Sequence, residues 1–217
     1  MNYSHVFAGR KKEVALLKEC SSTGKCVLLI GPPGIGKSAL LQHLRQHSPM
    51  LVCDESSSLR RICDSLESQL GWPHYKLTVI ERKNRLLEYL SHRKEPVAFD
   101  HVAQTPPRVG RFMGHLSARI PVWISCHSDR MRDIGHVWEY LSDFVRIEVA
   151  PLTHREVALL IEHAASRGFI QKDAKDHLSQ LYRLCQGNPR VLEELLIELA
   201  TRKYELGTSQ GLHLLDL

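Results

Sequence analysis

Short, unbroken apolar runs alternate along this chain with longer stretches in which apolar residues recur every three or four positions. Five of the runs read as strands: Cys26–Ile30, Met50–Cys53, Pro96–Asp100, Pro121–Cys126 and Val145–Val149. Each is aliphatic or β-branched with almost no polar alternation, as a strand covered on both faces should be. Helical spacing fills the gaps, over Lys11–Cys20, Lys37–His47, Ser58–Leu70, Thr78–Arg93, Arg108–Ala118 and roughly Gly135–Tyr140. Strands and helices in strict alternation predict an α/β fold, a doubly wound parallel five-stranded sheet.

The pattern changes after Pro151. From there only helical spacing is found, over Arg155–Arg167, Lys172–Cys185 and Pro189–Arg202. Thr153 with Glu156 three residues on reads as a capping box, and Asn188-Pro189 as a cap followed by proline at the first helical position. The expected organisation is an α/β core over residues 1–150, a small all-helical lid over 151–205 and a tail over 206–217.

Composition adds limits more than direction. A length of 217 residues suits one core with an appended subdomain, and 43% hydrophobic with 24% charged residues is ordinary for a packed protein. A net charge of +5 is compatible with an anionic partner without requiring one. The six cysteines form no CxxC pair and no metal-ligand spacing, the usage of a reduced, cytoplasmic protein. No HExxH or comparable pair occurs among the 13 histidines. No apolar stretch reaches the ~18 residues a membrane span needs, and no signal-peptide h-region follows Met1-Asn2-Tyr3.

The segment that carries chemistry is Gly31-Pro32-Pro33-Gly34-Ile35-Gly36-Lys37-Ser38, with Ala39 after it. It matches GxxxxGK[ST] and lies between an expected strand and an expected helix, the context the motif needs. Glycines allow backbone N–H groups to turn inward around a phosphate, and a helix amino terminus adds partial positive charge. Lys37 would reach the β- and γ-phosphates and the Ser38 hydroxyl would ligate Mg²⁺. The second element for the cation should be an aspartate ending a buried strand, and Pro96-Val97-Ala98-Phe99-Asp100 supplies Asp100 at the edge where α/β sheets bind ligands. His101 comes next.

Further segments resemble AAA+ and STAND-type P-loop ATPases, compact AAA+ regulators of DNA transposition among them. Phe7-Ala8-Gly9-Arg10-Lys11-Lys12-Glu13 is similar to their FxGRxxE element, which implies that Phe7 and Arg10 lie against adenine. Ser125-Cys126-His127-Ser128, ending a strand, resembles their sensor-1 region. Arg146–Thr153 resembles the last core strand with its PL(S/T) passage into the lid. Gly187-Asn188-Pro189-Arg190 resembles the lid's GNP element, which puts Pro189 beside the nucleotide and Arg190 in a sensor-2-like role near the phosphates. The resemblance covers roughly residues 6 to 200. It departs at His101, where those families usually carry an acidic base. By the same resemblance Lys37, Asp100, His101 and Arg190 form the catalytic set, Ser38 and Asp100 the metal pair, and Arg130, Arg132 and Arg146 the candidates for an arginine finger.

The function these features imply is an ATP-Mg²⁺-binding ATPase with slow turnover, assembling on ATP into a homo-oligomer that acts on double-stranded DNA. Arginines and lysines at Arg60-Arg61, Arg82-Lys83, Arg85, Arg93-Lys94, Arg108 and Arg111 would track phosphates only when copies stack. The alternative is a STAND-like nucleotide switch acting on a protein partner, favoured by His101. A small-molecule kinase fits less well, because such enzymes carry a lid within the core. A GTPase fits least, since no NKxD occurs and no DxxG follows the second strand.

Overall fold

A computed structural model of the chain describes residues 9–73, 76–170 and 177–200. Its five strands are β1 (Val27–Ile30), β2 (Leu51–Cys53), β3 (Val97–Val102), β4 (Val122–Cys126) and β5 (Val145–Glu148). They form one all-parallel sheet in the order β2-β3-β4-β1-β5. All five match the expected runs to within a few residues. The helices are α1 (Lys11–Ser22), α2 (Lys37–His47), α3 (Leu59–Gln69), α4 (Val79–Ser91), α5 (Pro107–Ser117), α6 (Met131–Ile134), α7 (His154–Ser166), α8 (Leu178–Cys185) and α9 (Pro189–Ala200), with a 3-10 helix at His136–Tyr140. Phe7, the start of the expected helix from Lys172, Thr201-Arg202 and the expected tail lie outside the described residues.

Strand order explains where a ligand can sit. The connection from β1 through α2 runs over β4 and β3 to reach β2, whereas β2, β3, β4 and β5 follow one another back in the opposite direction. Crossovers of one hand then place α2 on one face and α3, α4 and α5 on the other. Adjacent strands β1 and β4 therefore send their connections to opposite faces, and the crevice of such a sheet opens at that point, beyond the carboxyl ends.

The chain divides into two compact units. The larger holds Lys11–Pro33 and Lys37–Val149. Its core packs Leu28, Phe99 and Ile124 of the sheet with Ile62, Leu66, Leu86, Leu90, Phe112 and Met113 of the helices. The other unit takes in Gly9, Arg10, Gly34–Gly36 and the described residues from Ala150 onward. It has a core of its own, in which Leu152, Val157, Ile161, Leu181, Leu192 and Leu196 are buried. Among the described residues, two helix starts carry complete capping boxes: Thr153 with Glu156 on α7, as expected, and Thr78 with Glu81 on α4.

Candidate nucleotide site

Within the α/β unit, β1 is buried and ends at Ile30, level with Cys126 of β4 and Glu148 of β5. The pairing continues one step into the loop, where Gly31 N–H donates to the Cys126 carbonyl at 3.3 Å. The chain then leaves the sheet and re-enters a helix at Lys37, so the loop stands at the β1/β4 switch point. The first turn of α2 carries no acidic residue, which leaves its amino-terminal partial positive charge uncompensated. Lys37 is half-buried, and its ammonium donates to the carbonyls of Gly31 at 2.6 Å and Pro32 at 3.0 Å. Burial pushes its pKa below the ordinary lysine range, and the Asp100 charge pulls it back up. Cys126, on the neighbouring strand, is pushed up to about 12 by burial and stays an inert thiol.

β3 carries the second group, by a local irregularity. Phe99 pairs with Ile124 and Val102 with Cys126, so two residues of β3, Asp100 and His101, oppose one of β4, Ser125. The extra residue is a bulge, which disturbs the ladder and re-aims side chains. It falls at Asp100-His101, and His101 has φ of +53°. Asp100 is 2% exposed, and its Oδ1 accepts from the His101 N–H at 2.9 Å. The His101 side chain is exposed. Its Nε2 lies 3.4 Å from Ser38 Oγ and 3.5 Å from Asp100 Oδ2. Groups more than sixty positions apart in sequence thus meet at one point. Ser125 on β4 adds a buried hydroxyl with no hydrogen-bond partner among the described residues.

The donor set fits a hard divalent cation. A hydroxyl and a carboxylate are oxygen ligands of the kind Mg²⁺ prefers. Among the described residues no group of three His, Cys, Asp or Glu side chains forms a cage. A cation here would complete its shell with phosphate oxygens and water, the usual situation for Mg²⁺ in phosphate sites.

The loop's tip belongs with the helical unit. Gly34 and Gly36 have φ of +77° and +99°, which favour glycine. A Cβ at Gly34 would also lie 2.7 Å from the Arg190 Cβ and 2.8 Å from Asn188 Oδ1. Pro189 opens α9 beside it: Arg190 N–H donates to Asn188 Oδ1 at 3.0 Å and towards the Gly34 carbonyl at 3.3 Å. The Arg190 guanidinium is exposed and paired with Glu194 at 3.0 Å, one turn on. Arg10 is buried, with φ of +62°. Its guanidinium donates to the Ile35 carbonyl at 2.7 Å and to the Ala150 carbonyl, and its backbone N–H donates to Glu156 Oε1 at 3.1 Å. Glu156 therefore serves the capping box and Arg10 together, a role no local pattern announced.

The remaining candidates are dispersed. Arg130, Arg132 and Arg146 are exposed; Arg132 lies 3.7 Å from Asp133 and Arg146 3.4 Å from Asp129. Several arginines expected to form a phosphate-tracking face are engaged within the chain. Arg61 pairs with Glu55, Arg82 with Asp64 and Glu67, and Arg93 with Glu95, while Arg85 stacks 4.0 Å over the Trp72 ring. Arg60, Arg108 and Arg111 are exposed, with no such partner among the described residues. A cavity of about 370 Å³ lined by Leu17, Leu44, Met50, Pro96 and Trp123 lies at the amino ends of the strands, away from the loop. Among the described residues no helix is long and apolar enough to cross a membrane.

No protein-family model matches the sequence, and no curated protein matches it. Solved structures do. CDC6P from Pyrobaculum aerophilum superposes with a TM-score of 0.68 at 16% identity, over 92% of this chain and 64% of that one. The ORC1 protein of Aeropyrum pernix, solved in complex with DNA, gives 0.63 at 18%, over 92% and 62%. The Walker-type ATPase PABY2304 of Pyrococcus abyssi gives 0.63 at 16%, over 91% and 71%. This chain spans under two thirds of the first two. Identities this low speak for architecture, and together with the parallel sheet they show that the chain has the AAA+ P-loop ATPase fold.

Proposed function

We propose that the protein binds ATP with Mg²⁺ at Gly31–Ser38, hydrolyses it slowly, and self-associates in the ATP-bound state to act on duplex DNA. The observation that carries the reading is the meeting of Lys37, Ser38 and Asp100 at the carboxyl edge of the sheet, beside the switch point. Lys37, with Gly31, Gly34 and Gly36, would hold the phosphates; Ser38 and Asp100 would hold the cation, which neutralises charge on the phosphate oxygens. Slow turnover follows from His101. No carboxylate stands after Asp100 to take a proton from water, and the imidazole nitrogen is directed at Ser38 and Asp100. The same residue favours the second reading, a nucleotide-dependent switch acting on a protein partner. Self-association and DNA are carried to this chain from the fold and from the ORC1 structure solved with DNA.

Titration with a fluorescent ATP analogue tests the core of this. Lys37→Ala should raise Kd by about 10- to 10²-fold, since a hydrogen bond to a charged group contributes ~1.5–3 kcal/mol. Its fold should be unchanged by circular dichroism. Unaltered affinity in the variant would remove the site from consideration.

A further inference from the structure

The histidine after Asp100 stands where a carboxylate base would serve hydrolysis, and its geometry is specific. His101 sits in a β-bulge with a backbone conformation that costs a non-glycine residue energy, and such outliers point to function when the surroundings enforce them. The bulge turns Nε2 back towards the two oxygen donors of the cation site, 3.4 Å from Ser38 Oγ and 3.5 Å from Asp100 Oδ2. Both distances are long for hydrogen bonds to imidazole. They match instead the separation of two ligands on one metal ion. With bonds of about 2.1 Å, neighbouring ligands stand about 3.0 Å apart in an octahedron and about 3.4 Å apart in a tetrahedron.

Resting on the ATP-site reading, we propose that His101 Nε2 is a third protein ligand of the nucleotide-bound cation, which biases the site away from Mg²⁺ and towards borderline ions such as Co²⁺. The chemistry follows from ligand softness. Hydroxyl and carboxylate oxygens suit Mg²⁺, and an added imidazole raises affinity along the first-row series while gaining little with magnesium.

The test reads the metal and not turnover. Protein carrying ¹⁵N-histidine is loaded with Mn²⁺ and ATP and studied by pulsed electron paramagnetic resonance, where the ¹⁵N label separates imidazole from the nucleotide's own nitrogens. Coupling from the ¹⁵N nuclei of one imidazole is expected in the wild type. It should vanish in His101→Gly and His101→Asn, both of which tolerate positive φ, so folding is preserved and is checked by thermal melts. In parallel, the ratio of Co²⁺·ATP to Mg²⁺·ATP affinity should fall by about tenfold or more in both variants, the loss seen when even an outer-shell partner is removed. Mn²⁺·ATP bound to the wild type without ¹⁵N coupling would overturn the proposal while leaving the ATP site standing. An unchanged cation preference in both variants would do the same. Failure of ATP to bind with any cation would overturn both.

Discussion

Lys37 holds its ammonium against two carbonyls of its own loop. Those acceptors satisfy two of three N–H donors and supply no counter-charge, and burial lowers the pKa accordingly. An anion would supply that counter-charge. ATP should therefore raise the melting temperature of the wild type, by the equivalent of about 2.7 kcal/mol at a hundred times Kd. Scanning calorimetry of Lys37→Ala should show no such rise. Ser38→Ala should keep part of the ATP affinity and lose its dependence on Mg²⁺; affinity that still rises with added Mg²⁺ would place the cation elsewhere. At this scale the loop and Asp100 could be read from sequence because each is local: a motif between strand and helix, a carboxylate ending an apolar run. Arg10 could not. Its partners Ile35, Ala150 and Glu156 lie 25, 140 and 146 positions away, and no spacing rule spans such gaps. The turn of His101 is equally hidden, because a bulge adds one residue without altering the hydrophobic run around it.

Elements are legible where burial imposes a period and illegible where it does not. The five strands and the main helices follow from unbroken or 3.6-residue apolar patterns. The four-residue α6 and the extension of β3 to Val102 carry no period of their own. Two elements invite test. On α5, a Cβ at Gly110 would meet the His136 backbone at 2.7 Å, and one at Gly114 the Tyr140 ring at 2.3 Å. Glycine to alanine inside a helix ordinarily stabilises by ~0.5–1 kcal/mol. Here the backbone of the 3-10 helix cannot yield as a side chain would, so Gly110→Ala should instead destabilise by about 1–3 kcal/mol, read as a lower denaturation midpoint. On α7, burial works to raise the Glu156 pKa, but hydrogen bonds from Thr153 and the Arg10 backbone outweigh it and hold the carboxyl below its ordinary 4.5. A depressed folded-state pKa means stability that is fully present above the ordinary glutamate value and lost as pH falls through the lowered one. Glu156→Gln should lower stability at neutral pH by roughly 1–2 kcal/mol and flatten the acid limb of the stability profile. Identical acid limbs in variant and wild type would contradict this.

For the whole molecule, the charge distribution narrows what a nucleic-acid surface could be. Arg61, Arg82 and Arg93 are paired with carboxylates and Arg85 covers Trp72, so a stripe through them would have to break those pairings. The net charge of +5 includes them, and sequence alone could not tell paired from unpaired. Arg108 and Arg111 remain exposed on α5, three residues apart and so on one helical face. One subunit meeting two or so phosphates would bind weakly, whereas an ATP-assembled oligomer multiplies the attraction through effective concentration. Binding to duplex DNA should then require a non-hydrolysable ATP analogue and be indifferent to sequence. The slope of log affinity against log salt should become shallower by about 0.9 for every phosphate the protein no longer neutralises. Arg108→Glu with Arg111→Glu should therefore flatten the salt dependence while leaving nucleotide affinity unchanged. Gel-shift titration over a salt series, with light scattering for the oligomer, separates the outcomes. Wild-type slopes in the double variant would move the DNA-binding surface off α5. A protein that stays monomeric with ATP and retains no DNA at low salt would leave the nucleotide switch, acting on a protein partner, as the function.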